Sequence, residues 1–467
     1  MSLITNIKAF FAGVKSMITG TDLKSVVGDN AALSSEMALR ITLWRQMYDG
    51  KAPWMSDKLG ICSLGLEGSI AREFADVCLN EMESKTNNDK LDVIYKMAIR
   101  DLNENLQEGI ALGSFCIKPL GVGGQVEYVS QDDFLPIAYD SRGRLTDVIF
   151  TELRRKGDNT FYHRLERHTV TDKGLTITNK AYKSSGKDDL GHEIGLEVFE
   201  DWAKLPPEIF YADWTQPDFG YFKNPLKNRV DKSFNGVSVY ESAVELIKEA
   251  DKQFGRLKWE YESAERAIIA DVDAVPMPGD LGYVTRPKER LIRTLGMKTG
   301  DKDVPYEDFS PELRGDGYIA GLDEMLRRIE KNVGLAYGDL SKEVTIEKTG
   351  IEIKAAKQTK FNRVIAIEDN LEDCLSDLVD ALAFYNKLDT SGYDFECTFS
   401  DSILTDTEAN KTSDRADVAM GALNLWEYRM KQYGEDEATA KSRVPETPNV
   451  MPDTFPVKQT MPFGGSA

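Results

Sequence analysis

The residues with the clearest capacity for chemistry are Asp339, Glu352 and Lys354. An acidic pair with a lysine can hold a divalent ion and activate water for phosphodiester cleavage, provided the three groups converge, usually from strand ends. Glu352 and Lys354 instead lie in KTGIEIKAAKQTKFNRV, which continues into a long helical pattern. Two residues apart on a helix, they diverge by about 200° around the axis, and a shared metal site is spoiled. His163 and His168 fall in one strand-like run at odd spacing, so they face opposite sides of a sheet. His192 sits among glycines and charges in an expected loop, with no local partner for activating a serine or cysteine. GVGG at Gly121 to Gly124 lacks both the strand-turn-helix setting and the Lys-Ser/Thr ending of a phosphate-binding loop and reads as a hairpin turn; Gly186-Lys187 lacks the upstream glycine and the hydroxyl residue. The residues therefore point to no catalytic group, no metal and no cofactor.

Bulk properties narrow the classes further. The chain has 467 residues and a formal net charge of −20. A protein that grips DNA by its phosphates carries the opposite sign or a concentrated basic face, so sequence-specific DNA binding is not expected, whereas an acidic wall that a polyanion slides past without sticking is compatible with it. The cysteines Cys62, Cys78, Cys116, Cys374 and Cys397 are scattered, odd in number and set in apolar patterns, as in a reduced cytoplasmic product. No run of eighteen apolar residues occurs, and Lys8 and Lys15 interrupt the first apolar pattern, which argues against a membrane span and a secretory signal.

The elements that must position any function are read from periodicity. Ile4, Ile7, Phe11, Val14 and Ile18 predict an amphipathic N-terminal helix. Residues 33 to 112 are helical in pattern, with long periodic stretches around LSSEMALRITLWRQMYDG and LDVIYKMAIRDLNENLQEGIAL. From Gly113 to about Tyr211 the period shifts toward two, in GSFCIKPL, QVEYVS, TDVIFTELRR, NTFYHRLERHTV and GLTITNKAYK, and predicts an antiparallel sheet. FGYFKNPLKNR mixes aromatic and basic residues in the manner of a base-stacking surface, but an approach strand packing its aromatics is the better reading.

A long charged helix follows, with Tyr240, Ala243, Ile247, Ala250, Phe254, Leu257, Tyr261, Ala264 and Ile268 at three-four spacing over four heptads, about 50 Å at 1.5 Å per residue. Residues 271 to 318 are rich in proline and glycine and predict a loop-rich module with short strands. Its cations Arg286, Lys288, Arg290, Arg293 and Lys298 form a candidate partner contact. Leu322, Leu326, Ile329, Val333 and Ala336 then repeat the seam on a helix that can return antiparallel to the first. A polar segment, YGDLSKEVTIEKTG, leads to a third long helix with a seam at Leu371, Leu375, Leu378, Leu382 and Tyr385. A strand-like SGYDFECTFSDSI, a helical stretch near TEANKTSDRADVAMGALNLWEYRMKQYG and a tail rich in Pro, Gly and Thr complete the chain.

These residues carry a resemblance. FGYFKNPLKNRVDKSFNGVSVYESAVELIKEADKQFGRLKWEYE resembles the segment leading into the stem helix of the portal proteins of tailed bacteriophages of the siphovirus type. The likeness includes Phe222, Pro225 and Asn228, the Gly236-x-Ser238 entry, the Asp251 region, and Trp259 with Glu260. VGLAYGDLSKEVTIEKTGIEIKAAKQ resembles the family's second stem helix, tunnel loop and following long helix. Thr349-Gly350-Ile351-Glu352 departs from the small-residue pattern usual after the tunnel loop.

The resemblance implies an α+β, mainly helical portal fold assembled as a ring. Residues 1–236 would form the wing, 237–270 the first stem helix, 271–318 the clip, 319–336 the second stem helix, 337–349 the tunnel loop, 350–404 a long wing helix with a return strand, and 405–467 a crown and tail. It implies a homo-oligomer of about twelve copies, set at one capsid vertex, through which double-stranded DNA passes without sequence preference. Terminase, a head-tail adaptor and the major capsid and scaffolding proteins would be partners, in the virion and, during assembly, in host cytoplasm. Lys342, Glu343, Thr345, Glu347 and Lys348 would face DNA in the tunnel loop. The competing expectations are a metal-dependent nuclease using Asp339, Glu352 and Lys354, and a capsid or adaptor scaffold without a channel.

Overall fold

A computed structural model describes residues 32–80, 82–157, 159–186, 190–264, 267–271, 292–295, 306–309, 312–342, 350–388, 392–399 and 407–444. The chain is mixed α+β, about 46% helix and 22% strand, so helix outweighs strand roughly two to one. It divides into two compact units, Met1–Asp401 and Ser402–Ala467. The expected N-terminal helix and C-terminal tail lie outside the described residues.

The first unit begins with α1 (Ser35–Tyr48), α2 (Leu66–Asn80), strand β1 (Met82–Thr86), α3 (Asp89–Ala98) and α4 (Leu102–Leu112). Ser34 caps α1 by accepting the Met37 N–H, and Asn88 caps α3 through the N–H groups of Lys90 and Leu91, each satisfying orphan donors of a first turn. The periodic stretch over 91–112 is broken at Ile99–Asp101, where the chain turns before α4. Two short helices bury Leu91, Tyr95 and Ala98 and then Leu102, Leu106 and Ile110, positions that would also share one stripe of a continuous helix.

β2 (Ser114–Pro119) and β3 (Val126–Ser130) pair around the GVGG turn, and with β10 (Gly220–Lys223) form a three-stranded sheet in the order β10-β2-β3. β4 (Phe134–Tyr139), β5 (Leu145–Arg155), β6 (Phe161–Thr171), β7 (Gly174–Ser184) and β8 (His192–Ile194) form the larger antiparallel sheet, with β9 (Glu208–Tyr211) also pairing β7. The β6–β7 connection is a two-residue turn, since Thr171 faces Gly174, a loop length that suits the twist of a hairpin. His192, expected in a loop, opens β8 opposite Lys183 and is exposed. Between the sheets Cys116, Val129, Phe134, Leu145, Val148, Phe150 and Phe219 form one apolar cluster. The aromatics of the approach segment serve packing: Phe219 and Phe222 are buried, and the ring of Phe222 lies 5.2 Å from that of Phe115.

After β10 the backbone passes directly over the end of α4. Gly113 is the left-handed cap of that helix, with φ 112°, and a Cβ there would lie 2.6 Å from the Gly236 carbonyl carbon. A Cβ on Gly236 would in turn run into the Gly113 carbonyl oxygen. Only two glycines allow this approach. The Asn224 amide donates to the carbonyls of Ile110 and Val237, and Gln131 donates to that of Gly236, which fastens the crossing.

The chain then enters α5 (Val244–Ser263) through one turn of 3₁₀-helix, and three short strands follow: β11 (Ala267–Asp271), β12 (Ile292–Leu295) and β13 (Tyr306–Phe309). β11 pairs parallel with β12 and antiparallel with β13. α6 (Gly315–Val333) returns, α7 (Gly350–Tyr385) crosses the first unit against β10, β2, α2 and α3, and β14 (Phe395–Phe399) pairs antiparallel with β1. The second unit holds α8 (Thr407–Ala419), α9 (Leu425–Tyr433) and α10 (Glu437–Ser442). Asp414 ties α8 to α9 through Lys431, and Glu435 accepts from Arg429 and Arg443. Cys78, Cys116 and Cys374 are buried, and all five cysteines are thiols.

Candidate functional site

The expected stem is an antiparallel pair of helices. The Ser242 hydroxyl donates to the Asn332 carbonyl at 3.0 Å, Gln253 reaches the Tyr318 carbonyl, and Glu260 pairs with Arg314 at 3.0 Å, so the start of α5 meets the end of α6. The helix expected over 237–270 is helical only from Glu241 to Ser263. Its α-helical portion of 20 residues spans about 30 Å at 1.5 Å per residue, shorter than the expected strut. Ile268 and Ile269, β-branched and stiff at χ1, belong to β11 instead.

Tyr240, Ala243, Ile247, Leu257 and Ile329 are buried, while Phe254, Leu322 and Leu326 are half-buried. Tyr261, expected in the seam, is 48% exposed. The buried face has rotated to include Asp251, Gly255 and Glu260, because α5 packs on a second neighbour. Asp251 accepts the Trp54 indole N–H and the Leu64 N–H, both at 2.9 Å, from the segment between α1 and α2. Glu67 on α2 is also buried; burial pushes its carboxyl up to about 7, against a backbone hydrogen bond, and Asp251 raises it further.

The chain leaving α6 is held by acids of that helix. The buried Glu330 carboxylate accepts the N–H groups of Gly338, Leu340 and Ser341 at 3.2, 2.6 and 2.7 Å and the Ser341 hydroxyl at 3.0 Å. Asp323 accepts the Lys342 N–H at 2.8 Å. Asp339 accepts the Ala336 N–H and pairs with Lys360 of α7, both at 3.0 Å, and Lys360 also binds Glu73. The Glu330 carboxylate alone thus satisfies four donors of an irregular segment at one point. Lys342 itself is exposed; Glu343, Thr345, Glu347 and Lys348 lie outside the described residues.

For the cleavage chemistry, the structure occupies Asp339 with Lys360, and Glu352 and Lys354 fall in α7 with side chains outside the described residues. Among the described residues no group of three or more His, Cys, Asp or Glu could hold a metal ion, and no helix is long and apolar enough to cross a membrane. Of the clip cations, Arg293 lies in β12, while Arg286, Lys288, Arg290 and Lys298 are outside the described residues.

Sequence reasoning missed a buried ionic network between the large sheet and α7. His168 sits between Asp218, at 2.8 Å from Nδ1, and Glu166, at 3.0 Å from Nε2, and the Tyr385 hydroxyl donates to Asp218. Glu166 also pairs with Arg164 and Lys118, and Lys118 with Glu127 at 2.9 Å. Burial opposes the imidazolium, but Asp218 and Glu166 overcome it and push His168 up to about 9. Lys118 and His168 hold Glu166 well below the usual carboxylate range in spite of burial. Every member serves another member, so the network clamps β2, β3, β6 and α7 together with the segment that carries Asp218. The odd spacing of His163 and His168 could locate the imidazole on one sheet face; Asp218 and Tyr385, distant in sequence, had no local signal.

No family model matches the chain, and no curated protein matches it in sequence.

Proposed function

We propose that the chain is a bacteriophage portal protein: a non-enzymatic ring subunit that conducts double-stranded DNA at one capsid vertex and docks terminase during packaging and a head-tail adaptor afterwards, with the major capsid and scaffolding proteins as further neighbours. The observation that carries this reading is the α5–α6 antiparallel pair with three short strands between its helices, followed by a segment fastened to α6 and then by α7. That order matches the stem, clip, stem, tunnel loop and wing helix implied by the resemblance. Trp259, Tyr261 and Ile319 stand exposed on the helical pair and Leu313 just before α6, apolar area of the kind that a neighbouring copy covers. The charge of −20 per chain, multiplied around a ring, repels DNA from the wall and favours passage over sticking. The fastened base presents Lys342 at the edge of the expected loop.

Native mass measurement with electron microscopy of the purified chain tests the reading. A closed ring with an axial opening wide enough for duplex DNA is the expected result. A persistent monomer, magnesium-dependent cleavage of DNA, or a ring without an axial opening would sink it.

A further inference from the structure

A cleft of about 430 Å³ opens where the β4–β5 turn, β10 and α7 meet. Its volume lies in the range of small-ligand sites, and its walls carry opposite charges. Arg142 and Arg144 come from the turn, Lys223 from the end of β10, and Asp373 and Asp377 from successive turns of α7. The frame is tight. A Cβ on Gly220 would lie 2.5 Å from the Cys374 carbonyl oxygen, so β10 rests directly on α7, and the Asn370 amide holds the Lys223 carbonyl at 2.6 Å.

One cation and one anion of the walls neutralise each other within the cleft, and Arg142, Lys223 and Asp373 are the remaining charges of its lining. Arg144 pairs with Asp377 at 2.6 Å. Lys223 is half-buried, with its ammonium 5.9 Å above the Phe234 ring, and burial alone pushes its pKa down. Asp373 is exposed one turn before Asp377. Burial pushes Asp377 up to about 6, against Arg144, and Asp380 and Asp373 add to the rise. An anion near Lys223 would supply the charge that this lysine lacks, and a cation near Asp373 and Asp377 would relieve their mutual repulsion. A ligand of one sign meets repulsion from one of the two walls.

We propose that this cleft binds a small zwitterion of amino-acid or dipeptide size, with its anionic group against Lys223 and Arg142 and its ammonium against Asp373 and Asp377. The site is independent of the channel reading and stands or falls separately from it. Calorimetric titration of the full chain with glycylglycine at neutral pH, with acetate and methylammonium as single-charge controls, is the test. The expected result is saturable binding of the dipeptide, about tenfold tighter than either control, the weight of one charge-assisted hydrogen bond. Lys223→Gln and Asp373→Asn should each weaken it by about the same factor. Thermal melts accompany both variants, and Asp373, being exposed, keeps the test valid even where Lys223→Gln unfolds. Absence of saturable binding, equal binding of acetate and dipeptide, or unchanged affinity in Asp373→Asn overturns the proposal.

Discussion

Glu330 and Ser341, eleven residues apart, meet twice: the carboxylate accepts the serine N–H at 2.7 Å and its hydroxyl at 3.0 Å. Two further backbone donors, from Gly338 and Leu340, share the same side chain. Glu330→Gln keeps one acceptor oxygen for the three N–H groups, sets its NH₂ against the Ser341 hydroxyl and removes the charge that strengthens all four bonds. The expected cost is about 1–3 kcal/mol in urea unfolding, with faster amide exchange at Leu340 and Ser341. Unchanged exchange at those two amides would remove Glu330 as the fastening group.

The exposed Lys342 leaves a fastened base, and the proposed function gives it and Lys348 transient phosphate contacts. A Lys342→Ala, Lys348→Ala double variant should form intact rings that package but lose DNA retention. Packaging and retention equal to the parent protein, measured on purified particles, would count against the loop assignment.

Glu67 gives a signed pH dependence. Its folded pKa of about 7 stands above the ordinary glutamate value, so the folded state holds a proton that the unfolded chain releases. The stabilising contribution is complete below about pH 4.3 and is lost as pH rises through about 7. Glu67→Gln stays neutral throughout. It should match the parent protein near pH 4 and exceed it by about 1–3 kcal/mol at pH 8, read from denaturant midpoints at the two pH values.

His168, raised to about 9, acts over a higher window. Its contribution is full below the unfolded value near pH 6.5 and disappears as pH climbs through 9. His168→Ala leaves Asp218 and Glu166 buried without their shared cation, which costs about 3–5 kcal/mol near pH 6. The difference from the parent protein should shrink by pH 9.5; a cost constant across that range would show that His168 matters for packing alone.

Much of the architecture was legible because it is local. β5, β6 and β7 run eleven residues each, long enough for an extended pattern rich in β-branched and aromatic residues to show. The ends of elements were less so: α5 keeps its three-four spacing into Ile268, yet the chain is a strand by Ala267, since neighbours in β12 and β13 supply hydrogen bonds that helical periodicity does not register. Tyr261 lies against Gly315 of α6 yet is nearly half exposed, and a second contact through Trp54 and Leu64 brings Asp251 into the buried face. Polar sites fared worst. Glu330 and the short Gly338–Ser341 run are close enough in sequence to have been paired; His168, Asp218 and Tyr385 come together only through tertiary packing.

The crossing of Gly113 and Gly236 gives the helical pair its mechanics. Most joints between elements contain side chains that can change rotamer and absorb a displacement, but here main chain lies on main chain, with no compressible layer between. The joint is therefore a fulcrum. A lateral load applied near Arg314, at the far end of roughly 30 Å of helix, is not dissipated at the root but transmitted through Gly236 to α4 and, by way of Asn224 and Gln131, to β10 and the β3–β4 connection, so that the α5–α6 pair works as a stiff lever on the rest of its unit.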